Sequence, residues 1–333
     1  MNKRIQITLA ILCALPSSAV FACASCGCSI NSDWSAQGLS SASGWSMDLR
    51  YDVLNQNKLR AGTHSISPTD AAAATNTQTG DPAEVEQFTS NHYVTATLDY
   101  SNGNSWGVSV SVPYINRTHS TLGVGSDGVT FDPANGAYTS SGSGLGDVRV
   151  IGRYFGFTEA RNFGVQFGLK LPTGKKNQVA DDGSGTAVDP GLQRGTGTTD
   201  LIVGAYYFDS LSETWGYFTQ GTFQAALNHS TMDAGSYKPG DNLNVSLGVR
   251  YSGFSGFVPT AQINARYAKV DSGDAADTYS TGGKLVYLTL GGIVPVSDTV
   301  APYVNVQLPI YQNVNGIQLT PKYVFSAGVR VSF

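Results

Sequence analysis

Cys23, Cys26 and Cys28 place three thiols within six residues, and no cysteine follows them. Thiolates at this spacing could hold a soft metal such as Cu(I), or Zn(II) with an added ligand. Two of them could instead pair in an oxidising compartment, leaving the third for a disulfide to a periplasmic partner. The residue after Cys26 is Gly27 and not His, so the segment does not read as a haem-attachment motif. His64, His92, His119 and His229 all fall outside the expected periplasmic turns, so no local imidazole completes a site.

The residues ahead of the cluster carry an export pattern. Lys3 and Arg4 precede a short apolar run, Ile5 to Leu15, and Val20-Phe21-Ala22 is a small-residue exit. This predicts a signal peptide over 1–22, whose removal discards Cys13 and makes Cys23 the first mature residue. Val20-Phe21-Ala22-Cys23 also resembles a lipobox, which would put a lipid on Cys23. Phe21 is unfavourable there and barrels seldom need an anchor, so simple cleavage is the preferred reading. Residues 23–42 then form a Ser-rich, flexible, Cys-containing periplasmic lead-in.

What must position such a segment is a wall of strands. Charged residues make up 13% of the chain, against 39 Gly, 17 Tyr and 14 Phe. After the signal no apolar run reaches the length of a membrane helix, and no stretch sustains helical periodicity. Loss of Lys3 and Arg4 takes the net charge from −4 to −6, which argues against a nucleic-acid partner. The pattern is period two: in "NFGVQFGLKL", Phe163, Val165, Phe167, Leu169 and Leu171 alternate with Gly164, Gln166, Gly168 and Lys170. "DVRVIGRYF" and "NLNVSLGVRY" repeat it, with charged groups on the polar face and aromatics near strand ends. An apolar outer band, aromatic girdles and a polar interior describe a transmembrane barrel.

Twelve strands are predicted, at 43–54, 87–101, 104–118, 145–157, 162–173, 197–209, 213–228, 241–253, 256–270, 283–296, 299–312 and 319–333. Long and short connections alternate, as in an all-β, antiparallel up-and-down outer-membrane barrel over 43–333, with both termini periplasmic. The low-complexity loop 65–86 is expected to be mobile outside the cell. Pore-lining positions follow from the polar faces: basic Arg50, Arg149, Arg153, Lys170, Arg250, Arg266, Lys322 and Arg330, and acidic Asp48, Asp52, Asp99, Asp147 and Asp200. Facing Asp and Arg groups could brace a narrow barrel, while a basic surplus could favour anions. Both roles remain open at this stage.

"GSGLGDVRVIGRYF", "FGVQFGLKLPTGKKN" and "RGTGTTDLIVGAYYF" resemble the outer-membrane transporter family of the meta-cleavage pathway of phenol degradation, over about Gly142 to Phe208. The resemblance implies passage of aromatic or hydrophobic small molecules across the outer-membrane bilayer. Its Gly144 to Asp147 and Leu171 to Gly174 elements read as strand-edge features and not as a binding site. Enzyme motifs fail on spacing. Gly168 and Gly174 enclose five residues where a phosphate loop needs four, and Lys176 follows Lys175. Near His92, Ser90 and Ser101 lack the His-x-Ser order of the outer-membrane phospholipase. The expectation is a non-enzymatic channel for small solutes; a thiol-based metal or redox role, or a structural surface protein, stands as the alternative.

Overall fold

The computed structural model describes residues 42–77, 80, 84–123 and 137–333. The expected signal segment and Cys23, Cys26 and Cys28 lie outside the described residues. The strands are β1 (Gly44–Gly62), β2 (His64–Ser65), β3 (Val85–Ser101), β4 (Trp106–Leu122), β5 (Thr139–Leu145), β6 (Val148–Tyr154), β7 (Phe163–Leu171) and β8 (Asp200–Ser210). They continue as β9 (Trp215–Ala226), β10 (Ser230–Met232), β11 (Gly235–Tyr237), β12 (Asn242–Tyr251), β13 (Val258–Ala268), β14 (Gly283–Ile293) and β15 (Val300–Ser332). Neighbours along the chain pair antiparallel, β12 pairs β9 across the small β10–β11 hairpin, and β15 pairs back onto β1. That last pairing closes the sheet into an outer-membrane-type barrel, which removes the exposed edges an open sheet would leave.

Several elements differ from the sequence-based boundaries: β1 runs on to Gly62 past the expected end at 54, β5 begins at Thr139 ahead of the expected start at 145, and β2, β10 and β11 fall between the expected strands. β5 and β6 both pair with β4, on its outer and inner halves, so they are one stave broken at Gly146-Asp147. β15 is a continuous 33-residue element, which if straight would run roughly 110 Å, several times a membrane thickness. Its first part pairs with β14 through Tyr303 to Val314, and its second with β1 through Val314 to Ser332. A ring in which every pair is antiparallel must hold an even number of staves, so the chain has to reverse inside β15. Gly316 at φ +52° sits at that reversal, and Gln312 Nε2 donates to Pro321 O across it at 3.4 Å. With β5 and β6 counted as one stave and β15 as two, the ring has the twelve expected.

The wall is apolar outside and polar inside. Along β1, Trp45, Met47, Leu49 and Tyr51 are exposed, while Ser46, Asp48, Arg50 and Asp52 are buried. At the end with short turns an aromatic belt runs around the outside: Trp45, Tyr100 and Trp106 are in ring contact, as are Tyr154, Phe157 and Phe163, and Trp215, Tyr251 and Phe254. Such girdles mark a membrane interface. Trp45 and Phe333 exchange backbone hydrogen bonds of 3.1 and 2.9 Å, zipping the first stave to the last residue.

The loop expected to be mobile contains structure. Ser67 caps α1 (Pro68–Ala72), accepting from Asp70 N at 3.1 Å and donating to Asp70 Oδ2 at 2.7 Å. Ala71 and Ala72 then pack against Leu59, Val85, Ile317 and Leu319 in a buried apolar cluster. Small alanines let the helix sit close to the strands, so the low complexity reflects packing.

Candidate functional site: the barrel interior

Most interior charges are consumed by one another. Arg50 Nε meets Asp52 Oδ2 at 2.8 Å, and Asp52 also accepts from Ser326 Oγ at 2.6 Å. Arg153 grips Asp99 with both terminal nitrogens, Nη2 to Oδ1 at 2.8 Å. Lys170 Nζ lies between Asp147 and Asp200, at 3.1 and 3.2 Å. Asp48 accepts from the Tyr303 hydroxyl at 3.0 Å, Arg330 donates to Ser46 Oγ at 3.2 Å, and Arg266 reaches Asn244 Oδ1 at 3.4 Å. Arg149 is different: it is exposed, shares the inner face with Asp147 and Arg153, and has no ion pair among the described residues. Arg250 is exposed near the short-turn end of β12, and Lys322 is exposed in the β15 bulge between Pro321 and Val324.

The three stretches that carried the family resemblance meet in space. Asp147, in the break between β5 and β6, accepts from Gly174 N (3.0 Å), Thr196 N (3.0 Å), Thr196 Oγ1 (3.1 Å) and Lys170 Nζ. Thr173 Oγ1 donates to Gly146 O and accepts from Val148 N, both at 2.9 Å. Gly174 and Gly195 must be glycines, since a Cβ on Gly195 would stand 2.4 Å from Gly174 O and 2.6 Å from Asp147 Oδ1. The elements are strand-edge features, as expected. What sequence alone did not show is that one carboxylate ties all three together and turns the β7–β8 loop inward.

Arg117 on β4, absent from the sequence-derived lumen set, holds that loop from one stave beyond the β5–β6 stave. It donates to Gly191 O (2.8 Å), Gln193 O (3.2 Å), Asn91 Oδ1 (2.5 Å) and the Tyr93 hydroxyl (3.0 Å). The signal was present as alternation, with Ile115, Arg117 and His119 all buried on one face of β4.

Between this roof and the opposite end lies a pocket against β1, β13, β14 and β15. Leu54, Leu285, Tyr287, Val314 and Val324 contribute its apolar lining, and Arg266, Gln56, Gln307 and Gln318 its polar lining. At the short-turn end, Phe155, Tyr206 and Phe218 form an aromatic floor with Phe208 against it. Room for it comes from missing side chains: a Cβ on Gly164 would meet the Tyr206 ring at 2.4 Å, and one on Gly248 the Phe218 ring at 2.2 Å.

On the outer face Ser90 Oγ lies 3.3 Å from His92 Nε2, an order reversed from the phospholipase motif. Ser90 donates instead to Asn55 Oδ1 at 2.7 Å, and its strand is paired on both sides, so no backbone N–H is free to form an oxyanion hole. This pair lacks the means for acyl transfer. Among the described residues, no group of three or more His, Cys, Asp or Glu is arranged to hold a metal ion.

No protein-family model matches the chain. No curated protein matches it either. Among solved structures, it is similar to an outer-membrane channel from Pseudomonas putida F1, at 13% identity and TM-score 0.63, covering 92% of this chain and all of that one. The β domain of the Bordetella autotransporter BrkA (13% identity, 88% and 100% covered, TM-score 0.48) and the monoaromatic hydrocarbon channel CymD (10% identity, 91% and 94% covered, TM-score 0.46) are more distant. At these identities the Pseudomonas likeness establishes a shared barrel fold, and the two more distant ones carry no argument.

Proposed function

We propose that this chain is a passive outer-membrane channel for small solutes, with small aromatic or anionic compounds as its cargo. The interior pocket carries this reading: a lining that combines aliphatic and aromatic side chains with a guanidinium and three amides suits a flat apolar molecule bearing an acceptor or a negative charge. The resemblance to transporters of phenol degradation points the same way. Planar-bilayer recordings test it. Benzoate should interrupt the ion current reversibly, a sugar of similar size should not, and Arg266→Met should weaken the benzoate effect. A barrel that passes no current under any condition would refute the channel.

The lumen charges divide by task. Arg50, Arg153 and Lys170 are braced against carboxylates, whereas Arg149, exposed and without an ion pair among the described residues, is open to permeating ions. Arg149→Gln is expected to reduce anion preference while changing stability by no more than about 0.5 kcal/mol, the usual range at an exposed site. Reversal potentials in a salt gradient, alongside detergent melting, separate the two effects.

The thiol segment is a separate working part in this reading. β1 begins at the short-turn end, the end this reading takes as periplasmic. A triple Cys23→Ser, Cys26→Ser, Cys28→Ser variant should form a normal heat-modifiable barrel but lose bound copper or zinc, or thiol-sensitive cross-links to a partner. Failure to assemble would show that the thiols serve the barrel itself.

A further inference from the structure

Four acidic side chains from three segments converge under the outer loops. Glu84 and Glu86 flank the start of β3, Asp189 comes from the β7–β8 loop and Asp277 from the β13–β14 loop. Glu86, Asp189 and Asp277 are 3%, 7% and 1% exposed. Each spends one oxygen on backbone N–H groups. Glu86 Oε2 accepts from Leu319 N at 3.1 Å, Asp189 Oδ1 from Gly191 N at 3.2 Å, and Asp277 Oδ1 from Tyr279 N and Ser280 N at 2.8 Å. The second oxygen of each is buried without a protein partner among the described residues, and the partly buried Glu84 has the Tyr138 hydroxyl as its neighbouring donor.

Among the described residues, nothing nearby supplies the missing positive charge. Asp271 faces Asp189 from the β13–β14 loop, and Tyr138, ahead of β5, faces Glu84, Glu86 and Asp189. His119 of β4 packs its ring 5.6 Å from Tyr138. Arg117, two residues away on the same strand, is committed to Asn91, Tyr93 and the Gly191 and Gln193 carbonyls. None of the four carboxylates forms a salt bridge among the described residues. Buried charge in this condition must be neutralised, by protons or by a cation. The carboxylates are not arranged to hold a metal ion, which favours protons.

We propose that Glu84, Glu86, Asp189 and Asp277 form a proton-operated latch, closed over the outer mouth while protonated and released as they ionise. A carboxyl O–H supplies the donor that the orphaned oxygens lack, and it adds a link among the start of β3, the β7–β8 loop and the β13–β14 loop to the bonds that already hold those loops to β4 and β15. Burial first, and neighbouring carboxylates second, raise Glu84 and Asp189 well above the usual carboxylate range. Burial raises Asp277 too, partly offset by the Ser280 and Tyr279 N–H groups. With the loops apart these groups return to ordinary values near 4. The closed state therefore holds more protons than the open one. Closure is complete below the ordinary range and is lost as pH rises through the raised values. Each extra proton shifts the open-to-closed ratio about tenfold per pH unit in that window.

The test follows hydrogen exchange of peptides 186–193 and 275–281 in the folded full-length barrel, corrected for intrinsic pH dependence, together with bilayer conductance, from about pH 5 to about pH 9. Protection should fall and open probability rise at least tenfold with pH. Glu84→Gln/Asp277→Asn, unable to ionise at two sites, should stay protected and closed further into the alkaline range. Should the double variant not fold, the single Asp277→Asn change should still make the pH response shallower. A flat wild-type response, or a variant that tracks wild type, overturns the latch. So does opening by a chelator at fixed acidic pH, which would assign the role to a bound cation. The conductance arm rests on the channel reading above and the exchange arm does not. A barrel that never conducts but loses protection with pH would refute the channel and keep the latch.

Discussion

Lys170→Met is expected to be among the most destabilising single changes in the barrel wall, costing about 3–5 kcal/mol, because it strips the cation from buried carboxylates. Lys170, Asp147 and Asp200 have side chains 6%, 8% and 3% exposed, so water cannot take over the lysine's role. Asp147 keeps its loop amides, and Asp200 keeps Thr198 Oγ1 at 2.6 Å and Gln224 Nε2 at 2.6 Å. Those neutral donors soften the loss without cancelling a buried negative pair. Denaturant titration in detergent should show a lowered midpoint, and Asp147→Asn with Asp200→Asn should restore most of it. If Lys170→Met alone leaves the midpoint unchanged, the triad does not brace the wall. The contrast with Arg149→Gln is the point of the experiment, since two basic residues of similar sequence setting should affect different properties.

That contrast shows where sequence reading ends. Alternation identified the strands and their polar faces, because period two survives wherever one face meets lipid and the other does not. It placed Lys170 and Arg149 on the inner face alike, since it reports side and not partner. Which arginine is braced depends on register: Arg153 falls beside Asp99 because β4 is flanked by β3 and β6, a relation set by three strands at once. The Gly144 to Asp147 and Leu171 to Gly174 stretches were legible as strand edges. Their meeting at Asp147 was not, since it depends on a loop folding back inside the barrel. The acidic latch was hidden for the same reason. Glu84, Asp189 and Asp277 are far apart in the chain and come together only through loops whose path no periodicity records. The buried helix at 68–72 had a local signal, Ser67-Pro68-Thr69-Asp70, which is a helix start. Alanine-rich composition masked it.

The aromatic floor gives the second large effect. Phe155 and Phe218 are fully buried on the inner side of the wall, which means that at this end the lumen is packed with rings and holds no water against them. Phe155 is fixed at the turn by its N–H to Ser105 O at 2.7 Å, while Tyr206 and Phe208 stack at 6.4 Å between centroids. Gly164 and Gly248 give up their own side chains to admit these rings, so the packing is built into both flanking strands. A channel whose roof is a set of inward loops and whose floor is aromatic should conduct poorly until one of them yields. Phe155→Ala/Phe218→Ala therefore predicts a severalfold rise in single-channel conductance, with a stability cost of about 3–5 kcal/mol for each ring removed. Conductance and melting must be read together. A rise in current with an intact barrel identifies the floor as the narrow point of the path. Lower stability with unchanged current would place the constriction at the roof, and the Arg117 and Asp147 contacts of the β7–β8 loop would then control permeation.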